Sequence, residues 1–234
     1  GMALRVAFLQ GGTQAVASYN DGMMRVWQLN SQAIVRQFGE PSPPVSEMDE
    51  TFADGDTLAL SRDGLWVAQP GAGETADAVM LWNAETGALV RRFAGHTGTV
   101  TSIAFSPDQQ QMAAAGWDGM IILWDVQTGQ EIRRFAESDR AVFDFAFSSD
   151  GTQLVSASED HTITFWDVSS GQQLRQLNDF TDAVNTVSFS PDGQTLLAGF
   201  GTIRYVAGPN QDNSLRLIDV ASGNEIRRFE GHRA

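Results

Sequence analysis

Serine, histidine and acidic residues recur along this chain at spacings that raise several kinds of chemistry. A Ser/His/Asp nucleophilic site needs a hydroxyl, a base and an orienting carboxylate held together. No Gly-x-Ser-x-Gly elbow is present to expose such a serine, so no catalytic residue is expected. Asp108, Asp150 and Asp192 repeat at intervals of 42 residues and suggest ligands. Each, however, follows Ser or Pro in a short hairpin, and Asp150-Gly151 and Asp192-Gly193 are turn dipeptides. His96, His161 and His232 lie tens of residues apart without a single Cys, which leaves no zinc-ligand spacing. The acidic run with Glu47, Asp49, Glu50, Asp54 and Asp56 lacks the Asp/Asn-Gly spacing of a calcium loop and reads as solvated. Gly71-Ala72-Gly73 is not followed by Lys-Ser/Thr, so a phosphate cradle is not supported. No metal and no cofactor are expected.

These residues sit in a repeating frame. His96 to Phe135 contains four short apolar or alternating runs, each ended by Gly, Pro, Asp or Ser, which is the pattern of strands joined by tight turns. Four strands in about forty residues make one antiparallel meander. A sheet so small has two open edges and cannot bury both faces, so it must repeat. Phe105, Phe147 and Phe189 recur every 42 residues, as do Trp82, Trp124 and Trp166, while Trp27 and Ile218 extend the series at wider intervals. Five units follow, at about 2–39, 45–94, 96–136, 138–178 and 180–230, within a single domain 1–234. Within the second unit, Glu40-Pro-Ser-Pro-Pro44 cannot occupy a central strand, and the Gly-rich stretch Gln69–Asp77 reads as a mobile loop. Gly199–Asn213 is an insertion in the fifth unit that carries Arg204 and Tyr205.

The Trp124-Asp125 and Trp166-Asp167 pairs, the Gly95-His96 opening and the Ser-Pro-Asp turns resemble the WD-repeat β-propeller family. The resemblance implies an all-β fold, a propeller of four-stranded antiparallel blades, with five blades in this chain. It also implies a polar network in which a third-strand Trp bonds a second-strand Ser or Thr, joined to a His and a turn Asp. Carried over, unit three keeps His96, Asp118 and Trp124 with Ala114 in the hydroxyl position. Unit four keeps Ser156, Asp160 and Trp166 with Ser138 for the His, and unit one keeps Asp21 and Trp27. The expected role of these residues is to stiffen blades.

Composition narrows the partners. A formal charge of −14 disfavours nucleic acid, which needs a concentrated basic surface. All 15 basic residues are Arg. The pairs Arg91-Arg92, Arg133-Arg134 and Arg227-Arg228 fall on fourth strands, where charge discourages edge-to-edge pairing. No run of about twenty apolar residues is present, so no membrane span is expected. The first residues lack a cationic segment and apolar core, so a signal peptide is not expected either. The expectation is a cytoplasmic protein.

The family is mostly a platform for other proteins, so the resemblance implies a non-enzymatic scaffold for a protein or peptide partner. Loops joining strands two to three and four to one emerge on one face of a blade. Family contact positions there fall on Trp117, Asn20, Glu159 and Gln211, and on Thr101, Phe143, Asn185 and Leu4. Because Trp, Tyr and Arg dominate interface energies, Trp117, Phe143, Arg140, Arg204 and Tyr205 are the candidate contacts. Trp117 packing on a neighbouring blade is the competing reading. Two other functions stand beside the scaffold: a structural segment of a larger chain, and a hydrolase or metal enzyme framed by the propeller. For the last, only Asp144 lies near an inner-strand site, with Arg5, Ser102 and Thr186 in the corresponding places. Self-association is expected if the five blades do not close on themselves.

Overall fold

The computed structural model describes residues 3–9, 11–41, 57–71, 73–136, 139–178, 180–201 and 212–230. Among these are twenty strands and one 3-10 turn, Gly73–Thr75, with no α-helix. The first sheet is β1 (Ala3–Phe8), β2 (Gln14–Tyr19), β3 (Met23–Gln28) and β4 (Ala33–Gly39). The second is β5 (Ala59–Leu60), β6 (Trp66–Pro70), β7 (Val79–Asn83) and β8 (Leu89–Phe93), and the third β9 (Val100–Phe105), β10 (Gln111–Gly116), β11 (Met120–Asp125) and β12 (Glu131–Ala136). The fourth is β13 (Val142–Phe147), β14 (Gln153–Ser158), β15 (Ile163–Asp167) and β16 (Gln173–Leu177). The fifth is β17 (Val184–Phe189), β18 (Thr195–Phe200), β19 (Leu215–Asp219) and β20 (Glu225–Phe229). Strands pair in chain order within every sheet, so each is an antiparallel meander, and these sheets are the blades of a β-propeller.

The residues group into two compact units. One is Gly1–Phe105, Gln109–Ala114 and Leu123–Ile132, and the other Ser106–Asp108, Ala115–Ile122 and Arg133–Ala234. The first unit has a core between its first two sheets, where Val16, Met24, Val26 and Phe38 meet Val67, Met80 and Trp82. The second has one between the fourth and fifth sheets, built by Val155, Ala157 and Phe165 against Val187, Leu196 and Ala198. Each such side chain is worth about 1.5–3 kcal/mol when fully buried. Stacked sheets can therefore exist where a lone one could not.

Turn chemistry sets the registers. Between first and second strands, the Ser61, Ser106, Ser148 and Ser190 hydroxyls each donate to the Asp two residues on, at 2.6 Å. Asp108, Asp150 and Asp192 are thus consumed by their own turns, and the described residues contain no metal-binding cluster of His or carboxylates. Between third and fourth strands, Asn83, Asp125, Asp167 and Asp219 accept from the backbone N–H three residues on, at 2.6–2.8 Å. Gly87, Gly129, Gly171 and Gly223 then close those turns at φ of 73 to 77°.

The Gln69–Asp77 stretch differs from the expected mobile loop. Gln69 and Pro70 end β6, and the Gln69 amide donates to Gly22 O at 3.3 Å. The 3-10 turn that follows is tied down by Thr75 donating to Glu40 at 2.9 Å and by Val100 N–H donating to Ala76 O at 3.1 Å. Local hydrogen bonds have replaced the freedom that glycine allows. The acidic run 47–56, Ser138, Gln211, His232 and the insertion residues Arg204 and Tyr205 lie outside the described residues.

The residues of the expected Trp network make different contacts in different sheets. In the fourth sheet the Trp166 indole N–H donates to Ser156 Oγ at 3.0 Å, and Ser156 donates onward to Thr164 O at 3.3 Å. In the third, His96 Nε2 lies 3.1 Å from Ala114 O, a backbone acceptor in place of the missing hydroxyl, so the ring carries its proton on Nε2. Its ring meets Trp124 edge-on at 6.0 Å. In the first, Trp27 donates instead to Tyr19 OH at 3.2 Å. Asp21, Asp118 and Asp160 accept from Met23, Met120 and Thr162 N–H two residues on, so all three turn carboxylates cap their turns.

A linkage absent from that expectation joins successive sheets. Arg91 on β8 donates to Thr128 O and Gln127 O at 2.9 and 2.8 Å, and Arg133 on β12 to Ser170 O and Ser169 O, both at 2.6 Å. Arg175 on β16 does the same to Ala221 O and Val220 O at 3.0 and 2.5 Å, and Arg36 on β4 makes one bond, to Ala84 O at 2.8 Å. The planar guanidinium fork reaches two neighbouring carbonyls of the next sheet's turn at once. The first arginine of the Arg91-Arg92 and Arg133-Arg134 pairs is therefore a clamp between sheets. The edge-protection reading fails to describe it.

Candidate partner-binding face

A first strand that enters its sheet with an extra residue must aim that residue away from the ladder. The pairing of β13 with β14 skips between Val142 and Asp144, leaving Phe143 as the bulge. The same skip leaves Asn185 in the fifth sheet and Leu4 in the first. Three of the four first-strand contact positions expected from the family are thus bulge residues, which gives them a physical reason to point out of the sheet.

In the second unit, Trp117 occupies the turn between β10 and β11, closed by Gly119 N–H donating to Gly116 O at 3.2 Å. Its ring meets Phe143 of the fourth sheet edge-to-face, with centroids 5.9 Å apart and planes at 72°. Both side chains are half-buried. Trp117 therefore does pack on a neighbouring sheet, and the pair still presents an aromatic ledge to solvent. The Trp117 indole N–H is shielded and has no hydrogen-bond acceptor among the described residues. Buried tryptophan N–H groups usually have one.

Polar groups border this ledge. Glu159 N–H donates to Ala141 O at 2.9 Å, and Ser158 donates to the same oxygen at 3.1 Å. These bonds fix the β14–β15 turn beside the start of β13. Arg140 is exposed immediately before that strand. In the fifth sheet the Asn185 amide donates to Gly201 O at 2.9 Å, while its own oxygen is shielded and unmatched among the described residues. Trp117, Phe143 and Arg140 thus lie on neighbouring turns and strand starts.

The inner-strand carboxylate Asp144 accepts from Thr186 Oγ1 at 2.7 Å and from Val187 N–H at 3.1 Å, joining fourth and fifth sheets. That is a structural use of the group. Arg25 and Arg216 were not singled out in the sequence. Each stands four residues after a turn carboxylate and pairs with it, Arg25 with Asp21 at 2.6 Å and Arg216 with Asp212. Each also lies over an aromatic ring, Tyr19 at 4.2 Å and Phe200 at 4.4 Å. The Arg25 guanidinium holds the Asp21 carboxyl below its ordinary range. The shared Asp-x-x-x-Arg spacing was the available signal.

The WD domain, G-beta repeat family model matches residues 87–125, 129–167 and 171–219, more than half of the chain. Its bounds start at the third turn of one sheet and end at the close of the third strand of the next. Among similar proteins, pre-mRNA-processing factor 19 homolog 2 of Arabidopsis thaliana is 33% identical over 45% of this chain and 18% of its own length. The human WD repeat-containing protein 37 is 40% identical over 24% of this chain and 13% of its own. Meiotic recombination protein rec14 of Schizosaccharomyces pombe is 32% identical over 43% of this chain and 29% of its own. The chain thus matches under a third of the length of each of these relatives. Sheet order, turn chemistry and the family match agree: this chain belongs to the WD-repeat family.

Proposed function

We propose that this chain is a non-enzymatic scaffold that presents the face carrying Trp117 and Phe143 to a protein or peptide. The observation that supports this reading is the aromatic ledge itself. Two large rings are held in fixed geometry between two sheets, both part-exposed, near an exposed arginine, and the shielded Trp117 indole N–H has no acceptor among the described residues. Rigid aromatic anchors bordered by polar groups are what a protein contact uses for affinity. The Trp117 N–H suits a peptide carbonyl, and Arg140 suits an acidic side chain at the rim. The carboxylates that would serve a hydrolase are engaged in turns or between sheets.

The test is selection of peptides from a random displayed library on the intact chain, followed by affinity measurement on variants. Trp117→Ala or Phe143→Ala is expected to weaken the selected peptides by about 2 kcal/mol or more, the range of a hot-spot residue. Arg228→Ala, on an outer strand, should leave affinity unchanged. Unaltered binding by folded Trp117→Ala/Phe143→Ala protein overturns the reading.

A further inference from the structure

Four arginines in register, Arg36, Arg91, Arg133 and Arg175, each clamp the turn of the following sheet. Arg227 on β20 is the fifth in the series. It is exposed and makes no side-chain hydrogen bond or ion pair with any described residue. Two apolar side chains around it break their series in the same way. Phe229 is 43% exposed, whereas Phe38, Phe93 and Phe135 at the same register are 6%, 1% and 1% exposed. Those three rings stack on Trp82, Trp124 and Trp166 of the sheet that follows. Leu197 is 40% exposed, whereas Val16, Ala68, Ala113 and Val155 at its register are all at 0%. This is not the ordinary wetness of an outer strand. The residue before each clamp arginine, from Val35 to Ile226, is similarly exposed in every sheet.

The first sheet shows the complementary defect on its opposite face. Val6 is 72% exposed, against 6%, 4% and 4% for Ile103, Phe145 and Val187 in the same place on later first strands. Phe8 is 68% exposed where Phe105, Phe147 and Phe189 are half-buried. We propose that the fifth sheet of one molecule docks on the first sheet of a second copy of this chain, head to tail. The contact would continue the stacking that joins sheets within each unit. Phe229 would lie on the copy's Trp27, Leu197 near its Val6, and Arg227 over the turn between its β3 and β4.

That turn specifies the manner of docking. Gln32 holds its left-handed position at φ 55°, where the later sheets have glycine. A Cβ at Gly129 or Gly171 would sit 2.5 or 2.6 Å from the clamp arginine's Cδ, too close for the two-carbonyl grip. At Gly87 the distance is 3.2 Å, and there Arg36 grips one carbonyl. At Gly223 a Cβ would come no nearer than 3.5 Å to Arg175, which still grips two carbonyls. The Gln32 side chain therefore bars only the close seating that Arg91 and Arg133 take over their glycines, and Gln32→Gly admits that seating and tightens the contact.

A head-to-tail contact is heterologous and can propagate until it closes. Its test is sedimentation equilibrium of the intact chain across the micromolar range. Association that rises with concentration is expected, weakened about tenfold or more by Arg227→Ala or Phe229→Ser, and strengthened by Gln32→Gly. Polarity is read from two blocked variants, Val6→Asp/Phe8→Asp and Arg227→Asp/Phe229→Asp. Each should remain monomeric alone, with native circular dichroism, and the mixture should give a heterodimer and nothing larger. A wild-type chain that stays monomeric overturns the proposal, as does either blocked variant that associates by itself. Weakening by Gln32→Gly overturns the assigned turn.

Discussion

Arg133 stretches across the turn that Gly171 closes, and a Cβ at Gly171 would lie 2.6 Å from the arginine's Cδ. One glycine thus meets two demands. Its φ of 75° is one that other residues adopt only under strain, and its bare Cα makes room for the guanidinium that ties one sheet to the next. Gly171→Ala should cost about 2–4 kcal/mol, combining left-handed strain with overpacking. In the Arg133→Ala background the overpacking share should disappear, leaving about 1–2 kcal/mol for the strain. A urea-unfolding double-mutant cycle reads this, and additive costs would show that the two residues are uncoupled. Arg133→Lys should not restore the lost stability, since an ammonium cannot span both carbonyls as the fork does.

The tryptophans separate into two kinds. Trp166 donates to Ser156, whereas the buried Trp82 indole N–H has no acceptor among the described residues. Trp166→Phe is expected to cost about 1–2 kcal/mol through the lost hydrogen bond, and Trp82→Phe less, because no such bond is broken. Trp124 is fully buried against Phe93 and His96, so Trp124→Ala should cost about 3–5 kcal/mol. Denaturant midpoints of the three variants rank them directly, and a loss below about 1 kcal/mol for Trp124→Ala would contradict its burial.

Periodicity carried the fold from the sequence because each turn has its own residues and each strand its own alternation. The spans Val184–Phe189 and Glu225–Phe229 are legible to the residue. The arginine clamps were half-legible. Arg91-Arg92 and Arg133-Arg134 draw the eye as pairs, but Arg36 and Arg175 hold the same register singly, and only the singletons show which member matters. The Phe143 bulge was legible through its family position alone, since a register skip is a relationship between two strands. Arg25 and Arg216 escaped notice because pairing with a turn carboxylate is visible only once the hairpin is folded.

His161 sits at φ 68°, exposed, in the β14–β15 turn, at the position that Gly22 and Gly119 take in other sheets at 76° and 72°. A non-glycine residue there carries local strain, and the His161 imidazole makes no hydrogen bond or ion pair among the described residues to offset it. His161→Gly should raise stability by about 0.5–1 kcal/mol, the relief of left-handed strain less glycine's larger entropy loss. Chemical denaturation at neutral pH reads the change. A destabilised variant would mean that the imidazole has a binding role of its own in the turn.

The carboxylates of the third turns add an acid dependence to the fold. Asp167 accepts from the Ser169 hydroxyl and from the Ser170 hydroxyl and N–H, and these bonds lower its pKa to about 2 from 3.8. Asp125 and Asp219 are lowered in the same way by Thr128 and Ser222. A carboxyl whose folded pKa is depressed binds protons less readily in the native state than in the unfolded one. Its contribution is therefore complete above the unfolded value and is lost as pH falls from about 4 through about 2. Asn83 makes the corresponding bonds in the second sheet with a neutral amide, to Thr86 N–H at 2.7 Å and its hydroxyl at 2.9 Å. Asp167→Asn should therefore fold, and its thermal midpoint should fall less steeply than the wild type's as pH drops from about 4 to about 2. Carbon-detected NMR titration locates the Asp167 carboxyl in the intact chain. A midpoint near the ordinary aspartate value would show that the Ser169 and Ser170 bonds do not hold in solution.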